Sequence, residues 1–211
     1  KYVSLSPYQY GANNPVNNID VNGDSVWYTR NGDIVTMHVT AKIFNNSSDN
    51  INMARAAKDI VSDIKSTYEG KFEWSDNKTY NLKVDMDLKV ATSMKDVENS
   101  DHLFVLADSD SKGARGATSM LGGKVMTLAS SDFANNNWLS NNLSYNKTFT
   151  ATHEFGHAIG LSHSQNPFNI MKQGGVVHNS NSNQRVIMLQ QQNNLNNNLV
   201  VDIYNLGLKW R

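Results

Sequence analysis

Residues 153–163, which read HEFGHAIGLSH, have the types and spacing of a metal-binding site. His153 and His157 are four residues apart, so on a helix their side chains project from the same face, one turn apart. Two imidazoles placed in this way can bind one zinc ion, each at about 2.0–2.1 Å. Gly160 allows the chain to leave the helix with a positive φ, and that turn would bring His163 back as a third ligand.

Glu154 follows the first of these histidines and would lie at the edge of the helix, beside the metal. From there it cannot easily be a third ligand, but it can take a proton from a water molecule on the metal. Three protein ligands leave the fourth position for water, which indicates a catalytic zinc site. A structural site is the weaker interpretation, because such sites usually have four protein ligands and the chain contains no cysteine.

Regular hydrophobic patterns surround the motif and predict the elements that must position it. Alternating apolar residues predict two long strands, and an apolar stripe of helical period between them predicts a helix with Ser48 and Asp49 as candidate caps. This order of elements predicts an α+β fold, with a mixed sheet backed by two helices. The predicted elements are strand 34–44, helix 51–68, strands 80–90, 102–107, 113–119 and 124–128, helix 149–161, loop 166–177, a weaker helix 183–195 and a terminal strand or tail 200–210.

The remaining histidines are interpreted as ordinary residues. His38 falls on the polar face of its predicted strand, His102 begins a strand, and His178 lies in a loop rich in Gly and Asn. We expect each of them to be a surface or packing residue and not a metal ligand.

The motif resembles that of the metzincin clan of zinc peptidases, HExxHxxGxxH, and matches it at every fixed position. In that clan a methionine turn lies below the metal, and Met171, eight residues after His163, is the matching residue. The resemblance makes its side chain an apolar floor under the three imidazoles, with plain core packing as the alternative. No Tyr follows Met171 within two residues, so the fifth ligand of astacins and serralysins is not indicated, and the short spacers look most like matrixin-type members.

The resemblance covers roughly residues 26–172 and implies a specific architecture. It implies a metzincin-like α+β fold, with a twisted five-stranded mixed sheet, two backing helices of which the second carries the zinc motif, and a small irregular C-terminal subdomain. The strand at 113–119 would form the upper rim of the cleft, where a substrate peptide pairs with the exposed edge. The expected divisions are a lead at 1–23 and a peptidase domain at 24–211, with subdomains at about 24–163 and 164–211.

The first 23 residues resemble the closing segment of the bacterial RHS-repeat core, which has a pattern like SPYxYxxNNPxxxxDxxG. Val21 departs from it, because the family usually has Pro after the Asp. The region after this segment is commonly a toxin domain in that family, which implies a protein that is secreted or delivered into a target cell, with a cognate immunity protein as a partner. The matching residues are Ser6, Pro7, Tyr8, Tyr10, Asn13, Asn14, Pro15, Asp20 and Gly23.

Composition excludes several classes of protein. The 211 residues include 19 Lys and Arg and 19 Asp and Glu, so the formal net charge is zero, which argues against a nucleic-acid partner. No apolar run reaches about 18 residues, so no membrane span is expected. Without cysteine there are no disulfides. We expect a monomer that acts on protein or peptide.

The sequence therefore predicts a zinc endopeptidase. His153, His157 and His163 would hold the metal, and Glu154 would be the general base. Two alternatives remain open. One is a zinc hydrolase of another substrate class, such as cell-wall peptide. The other is a degenerate, non-enzymatic module that binds peptide, although such a binder would not need the intact Glu154.

Overall fold

The framework of the chain is a mixed β-sheet with helices packed against it. In the computed structural model, the described residues are 26–108, 116–134, 144–174 and 179–191. They contain strands β1 (Val26–Asn31), β2 (Ile34–Asn45), β3 (Gly70–Glu73), β4 (Thr79–Ala91), β5 (His102–Ala107), β6 (Gly116–Thr118) and β7 (Val125–Ala129), and helices α1 (Met53–Tyr68), α2 (Ser144–Ala158) and α3 (Ser182–Gln191).

The seven described strands form one sheet in the order β3-β4-β2-β5-β7-β6. The pairs β2–β4, β2–β5 and β5–β7 are parallel, whereas β3–β4 and β6–β7 are antiparallel. Strand β1 pairs with the first half of β2 in antiparallel fashion, and β5 pairs with its second half. Strand β6 ends the described order, and within the described residues it pairs with β7 alone.

The core lies between this sheet and helices α1 and α2. Alternation along β2 and β4 buries the predicted apolar faces, although Val90 at the end of β4 is exposed. Phe155 of α2 connects three elements, because its ring packs against Phe104 of β5, His102 of β5 and Tyr68 of α1. The helix that contains the histidine motif is therefore packed directly on the central strands.

The expectation of five strands was wrong, because the described sheet has seven. Strands β1 and β3 were missed: β1 buries only two side chains and β3 has four residues, so neither has a clear apolar alternation. The predicted strand at 113–119 is observed as Gly116–Thr118, and residues 113–115 lie outside the described residues.

The cap of α1 was also predicted wrongly. Asn52, and neither Ser48 nor Asp49, accepts the hydrogen bond from the backbone N–H of Arg55 at 3.0 Å. Asp49 instead accepts a hydrogen bond from the Ser130 hydroxyl, which links the loop before α1 to the end of β7.

The two later helices differ from the predicted bounds. Helix α2 begins at Ser144, five residues before the predicted start, and ends at Ala158. A third helix, α3, stands where an irregular C-terminal segment was expected, although the weaker helix pattern at 183–195 had pointed to it. The lead at 1–23 and the tail at 200–210 lie outside the described residues. None of the helices in the described part of the chain is long and apolar enough to cross a membrane.

Candidate metal centre

The end of α2 sets the direction of the histidine motif. Gly160 has a φ of 91°, a conformation that favours glycine. The N–H of Leu161 donates to the carbonyl of Gly156 at 2.8 Å, and the N–H of Gly160 donates to the carbonyl of His157 at 3.0 Å. This pair of bonds is the Schellman pattern, which ends the helix and reverses the chain. The reversal returns His163 toward the two histidines on α2.

The three predicted ligands lie together. One ring nitrogen from each of His153, His157 and His163 is within 4.8 Å of the others. The Nε2 atoms of His157 and His163 are 3.1 Å apart, and the ring centroids of the three pairs are 4.6–5.3 Å apart. Nitrogens that bind one tetrahedral zinc at about 2.0–2.1 Å must be about 3.3 Å from one another, so this cluster is close to the required size.

The outer nitrogens of the two helical histidines show that the donor set fits a metal ion. His153 Nδ1 lies 2.7 Å from the carbonyl oxygen of Ile170, and His157 Nδ1 lies 2.7 Å from that of Leu161. A carbonyl only accepts, so each Nδ1 must carry the proton, and each Nε2 keeps its lone pair for a ligand. Burial lowers the pKa of both imidazoles, that of His157 to about 4, so both are neutral at pH 7.

Glu154 lies beside this cluster and is only 8% exposed. Its Oε2 accepts a hydrogen bond from the Thr118 hydroxyl of β6 at 2.7 Å. Burial raises the pKa of Glu154, whereas the Thr118 hydroxyl and the neighbouring His163 act in the opposite direction. A carboxyl group whose burial favours its neutral form is suited to accept a proton and give it back.

Met171 is fully buried under the motif helix. A Cβ atom at Gly156 would overlap the Met171 sulfur and the Tyr68 hydroxyl, so the absence of a side chain at Gly156 makes room for both groups. The Tyr68 hydroxyl donates to the carbonyl of Thr152 at 2.9 Å. Met171 thus packs against the turn of α2 between the two helical histidines.

The turn that carries Met171 is held by a pair of buried amides. Asn169 Oδ1 accepts from the N–H of Met171 at 2.9 Å, and the side chains of Asn169 and Gln184 exchange two hydrogen bonds of 2.7 and 2.9 Å. The N–H of Ser164, next to His163, donates to the Met171 carbonyl at 2.8 Å. Helix α3 therefore supports both the methionine turn and the third histidine.

A cavity of about 340 Å³ adjoins the histidines. The exposed apolar side chains of Met120 and Leu121 contribute to its lining, as does Ser162 from the chain that follows α2. Its lining residues are Thr118, Met120, Leu121, His157, Ser162 and His163.

The other histidines lie apart from this centre. His38 is on the β2 surface, stacked on Trp27 and hydrogen-bonded to Thr29 and Asp85. His102 is a packing residue, 1% exposed, and His178 lies outside the described residues. Sequence reasoning missed Thr118 and Gly156. No local pattern marks Thr118, which contacts the motif helix from strand β6, and none shows that Gly156 is needed inside the helix for packing.

A family model described as Matrixin, of the M10 peptidases, matches residues 27–194, most of the chain. The chain belongs to the matrixin family. The match includes His153, His157, His163 and Met171, and it confirms the expected metzincin-type metallopeptidase. No curated protein sequence matches this matrixin.

Solved structures to which this matrixin is similar include three metallopeptidases. Metalloproteinase-II from Bacteroides fragilis is 15% identical to this chain, with a TM-score of 0.42. The match covers 72% of this chain and 52% of the other protein, so this chain spans about half of that protein's length. Archaemetzincin from Archaeoglobus fulgidus, complexed with malonate, is 16% identical with a TM-score of 0.35, and the match covers 69% of this chain and 90% of the archaemetzincin. Archaemetzincin from Methanopyrus kandleri is 15% identical with a TM-score of 0.38, and the match covers 80% of this chain and 97% of the archaemetzincin.

Proposed function

We propose that this matrixin is a zinc-dependent endopeptidase. The observation that carries the proposal is the convergence of three imidazole nitrogens within 4.8 Å beside a buried carboxyl group. His153, His157 and His163 would hold the metal. When bound, zinc supplies Lewis acidity, which lowers the pKa of water and polarises a carbonyl.

Glu154 performs the proton transfers in this proposal. As the carboxylate, it accepts a proton from the water that attacks the scissile carbonyl. As the carboxylic acid, it donates that proton to the leaving amine, so it returns to its starting state at the end of the reaction. Its burial and its bond to Thr118 keep it in one position through both transfers.

The outer edge of β6 receives the substrate in this proposal. An extended peptide can pair with a free strand edge through main-chain hydrogen bonds, which gives affinity without a fixed side-chain sequence. Thr118, on β6, lines the cavity beside His157 and His163. A peptide on this edge would therefore run past the histidines and Glu154.

The test is Glu154→Gln, which keeps the shape of the side chain and removes its basicity. We expect the variant to retain zinc and its melting temperature. Turnover of a peptide library should fall by about 10⁴-fold or more, because general-base assistance contributes about 10²–10⁴ and the carboxylate also orients the attacking water. Turnover within about tenfold of the unmodified protein would contradict the general-base role. A protein that cuts peptidoglycan but not casein would point to the cell-wall alternative, and one that binds peptide without cutting would point to the non-enzymatic alternative.

We further propose that the peptidase acts as the toxin domain of an RHS-repeat protein, secreted or delivered into a target cell. The support is the resemblance of residues 1–23 to the RHS-core closing segment. The test is expression of the chain inside a bacterial cell, with Glu154→Gln as the matched control. Growth arrest by the unmodified chain alone, relieved by a protein encoded next to it, is the expected result, and equal growth of both strains would contradict it.

A further inference from the structure

Thr118 lies outside the motif, and its side chain contacts the proposed general base. Its hydroxyl oxygen lies 2.7 Å from Glu154 Oε2 and 2.9 Å from the Glu154 backbone carbonyl. The first contact gives the carboxylate a hydrogen-bond donor, although Glu154 is only 8% exposed. The second gives the hydroxyl another acceptor within reach, so it keeps a hydrogen bond when the carboxyl group carries a proton.

The close approach of β6 to α2 makes this contact possible. Gly116 and Thr118 are two residues apart on a strand and face the same side, toward α2. A Cβ atom at Gly116 would overlap the Thr150 methyl group and lie 3.0 Å from Glu154 Cγ. The strand can therefore lie against the helix only because residue 116 has no side chain, and this brings the Thr118 hydroxyl to the carboxylate.

The strand that holds Glu154 is also the free edge of the described sheet. Thr118 pairs with Met126 of β7 on its inner side, and β6 has no strand on its other side among the described residues. A peptide that adds to this edge would pair with the residues that fix the base.

We propose that Thr118 is the positioning residue for Glu154: its hydroxyl holds the carboxylate in the orientation for proton transfer, on the same strand that receives the substrate. This inference rests on the proposed function. Thr118 acts through Glu154, so its loss should affect the chemical step and leave substrate binding largely unchanged.

The decisive variants are Thr118→Val, which keeps the branched shape and removes the hydroxyl, and Thr118→Ser, which keeps the hydroxyl. We expect Thr118→Val to lower kcat by about 10- to 100-fold, as for loss of one hydrogen bond to a charged group, with KM within about twofold. Thr118→Ser should stay within about threefold of the unmodified kcat. If Thr118→Val does not fold, Thr118→Ala makes the same comparison with Thr118→Ser.

Thr127→Val is the matched control. The Thr127 hydroxyl donates to the carbonyl of Ala117 at 3.1 Å, so its removal takes one hydroxyl from the same strand pair without touching Glu154. We expect kcat within about twofold of the unmodified protein. An equal loss in both variants, or a Thr118→Ser variant as slow as Thr118→Val, would show that only the placement of the strand matters and would overturn the inference.

The Glu154→Gln variant separates this inference from the proposed function. If Glu154→Gln is inactive and Thr118→Val is as fast as the unmodified protein, the positioning role is wrong and the peptidase proposal stands. If Glu154→Gln is as active as the unmodified protein, the general-base role fails first, and the positioning role fails with it.

Discussion

The surroundings of His153 and His157 favour the neutral imidazole that a metal ion requires. Burial lowers the pKa of both rings, so neither has to lose a proton at pH 7 before it binds. The bonds of their Nδ1 atoms to backbone carbonyls fix the orientation of the rings and leave the Nε2 atoms for the metal. The backbone around the motif thus favours the tautomer and ring orientation that a metal ligand needs.

Removal of one imidazole should therefore remove the metal. We expect His157→Ala to lose both stoichiometric zinc and peptidase activity, because two remaining histidines do not make a stable site. The matched control is His38→Ala, since His38 lies on the surface of β2 and should leave zinc at one ion per chain. Elemental analysis of both purified variants makes the comparison. One zinc per chain in His157→Ala would contradict the ligand assignment.

Contacts between elements explain which features were predictable from the sequence. The ligand cluster was predictable because its geometry is local: a four-residue spacing on a helix and a glycine at its end place three histidines together. The bond from Thr118 to Glu154 joins residues 36 apart, and no local pattern indicates it. The start of α2 was missed because its first turn, SYNK, is polar and carries no apolar stripe.

The support of the methionine turn was equally hidden in the sequence. Met171 could be identified by resemblance, but its supports, Asn169 and Gln184, come from a loop and from a helix with a weak apolar pattern. The side chain of an Asn in a turn usually bonds to the backbone two residues later, and here Asn169 does accept from the N–H of Met171. Its second set of bonds, to α3, depends on tertiary packing alone.

The packing of α2 on Met171 gives a prediction against helix propensity. Gly156→Ala should improve α2 by about 1 kcal/mol if propensity alone decided. Because the added methyl group would overlap Met171 and Tyr68, we expect a net loss of about 1–3 kcal/mol in the free energy of unfolding. Urea denaturation measures it. In a Met171→Ala background, where the overlap with Tyr68 remains but that with Met171 is gone, the same substitution should cost less. An equal cost would show that Met171 does not impose the glycine.

Across the whole molecule, α3 and Phe155 hold the sheet, α1 and the metal centre together. Arg185 of α3 donates to the carbonyls of Tyr68 and Glu69 at the end of α1, at 2.8 and 2.9 Å. Its positive charge at this helix C-terminus is favourable. The neighbouring Gln184 supports the methionine turn, so α3 links α1 to the metal centre. Phe155 of α2 in turn packs against His102 of β5.

His102 should make the stability of the whole fold sensitive to acid. Burial, with a smaller effect of the nearby Lys124 and opposed by the Ala158 carbonyl, lowers the pKa of His102 to about 3. In the unfolded chain the pKa is about 6.5, so below that pH the unfolded state binds more protons, and stability falls as the pH drops from about 6.5 toward 3. His102 alone should cost about 2 kcal/mol between pH 7 and pH 5.

The test compares the metal-free protein with its His102→Gln variant, because zinc release would otherwise dominate the acid response. Urea denaturation at pH 7 and pH 5 gives the loss of unfolding free energy for each. Since His153 and His157 contribute equally to both proteins, the variant should lose about 2 kcal/mol less than the unmodified chain. An identical loss in His102→Gln would mean that His102 accepts a proton inside the folded core, and that the contact between β5 and α2 tolerates a charge.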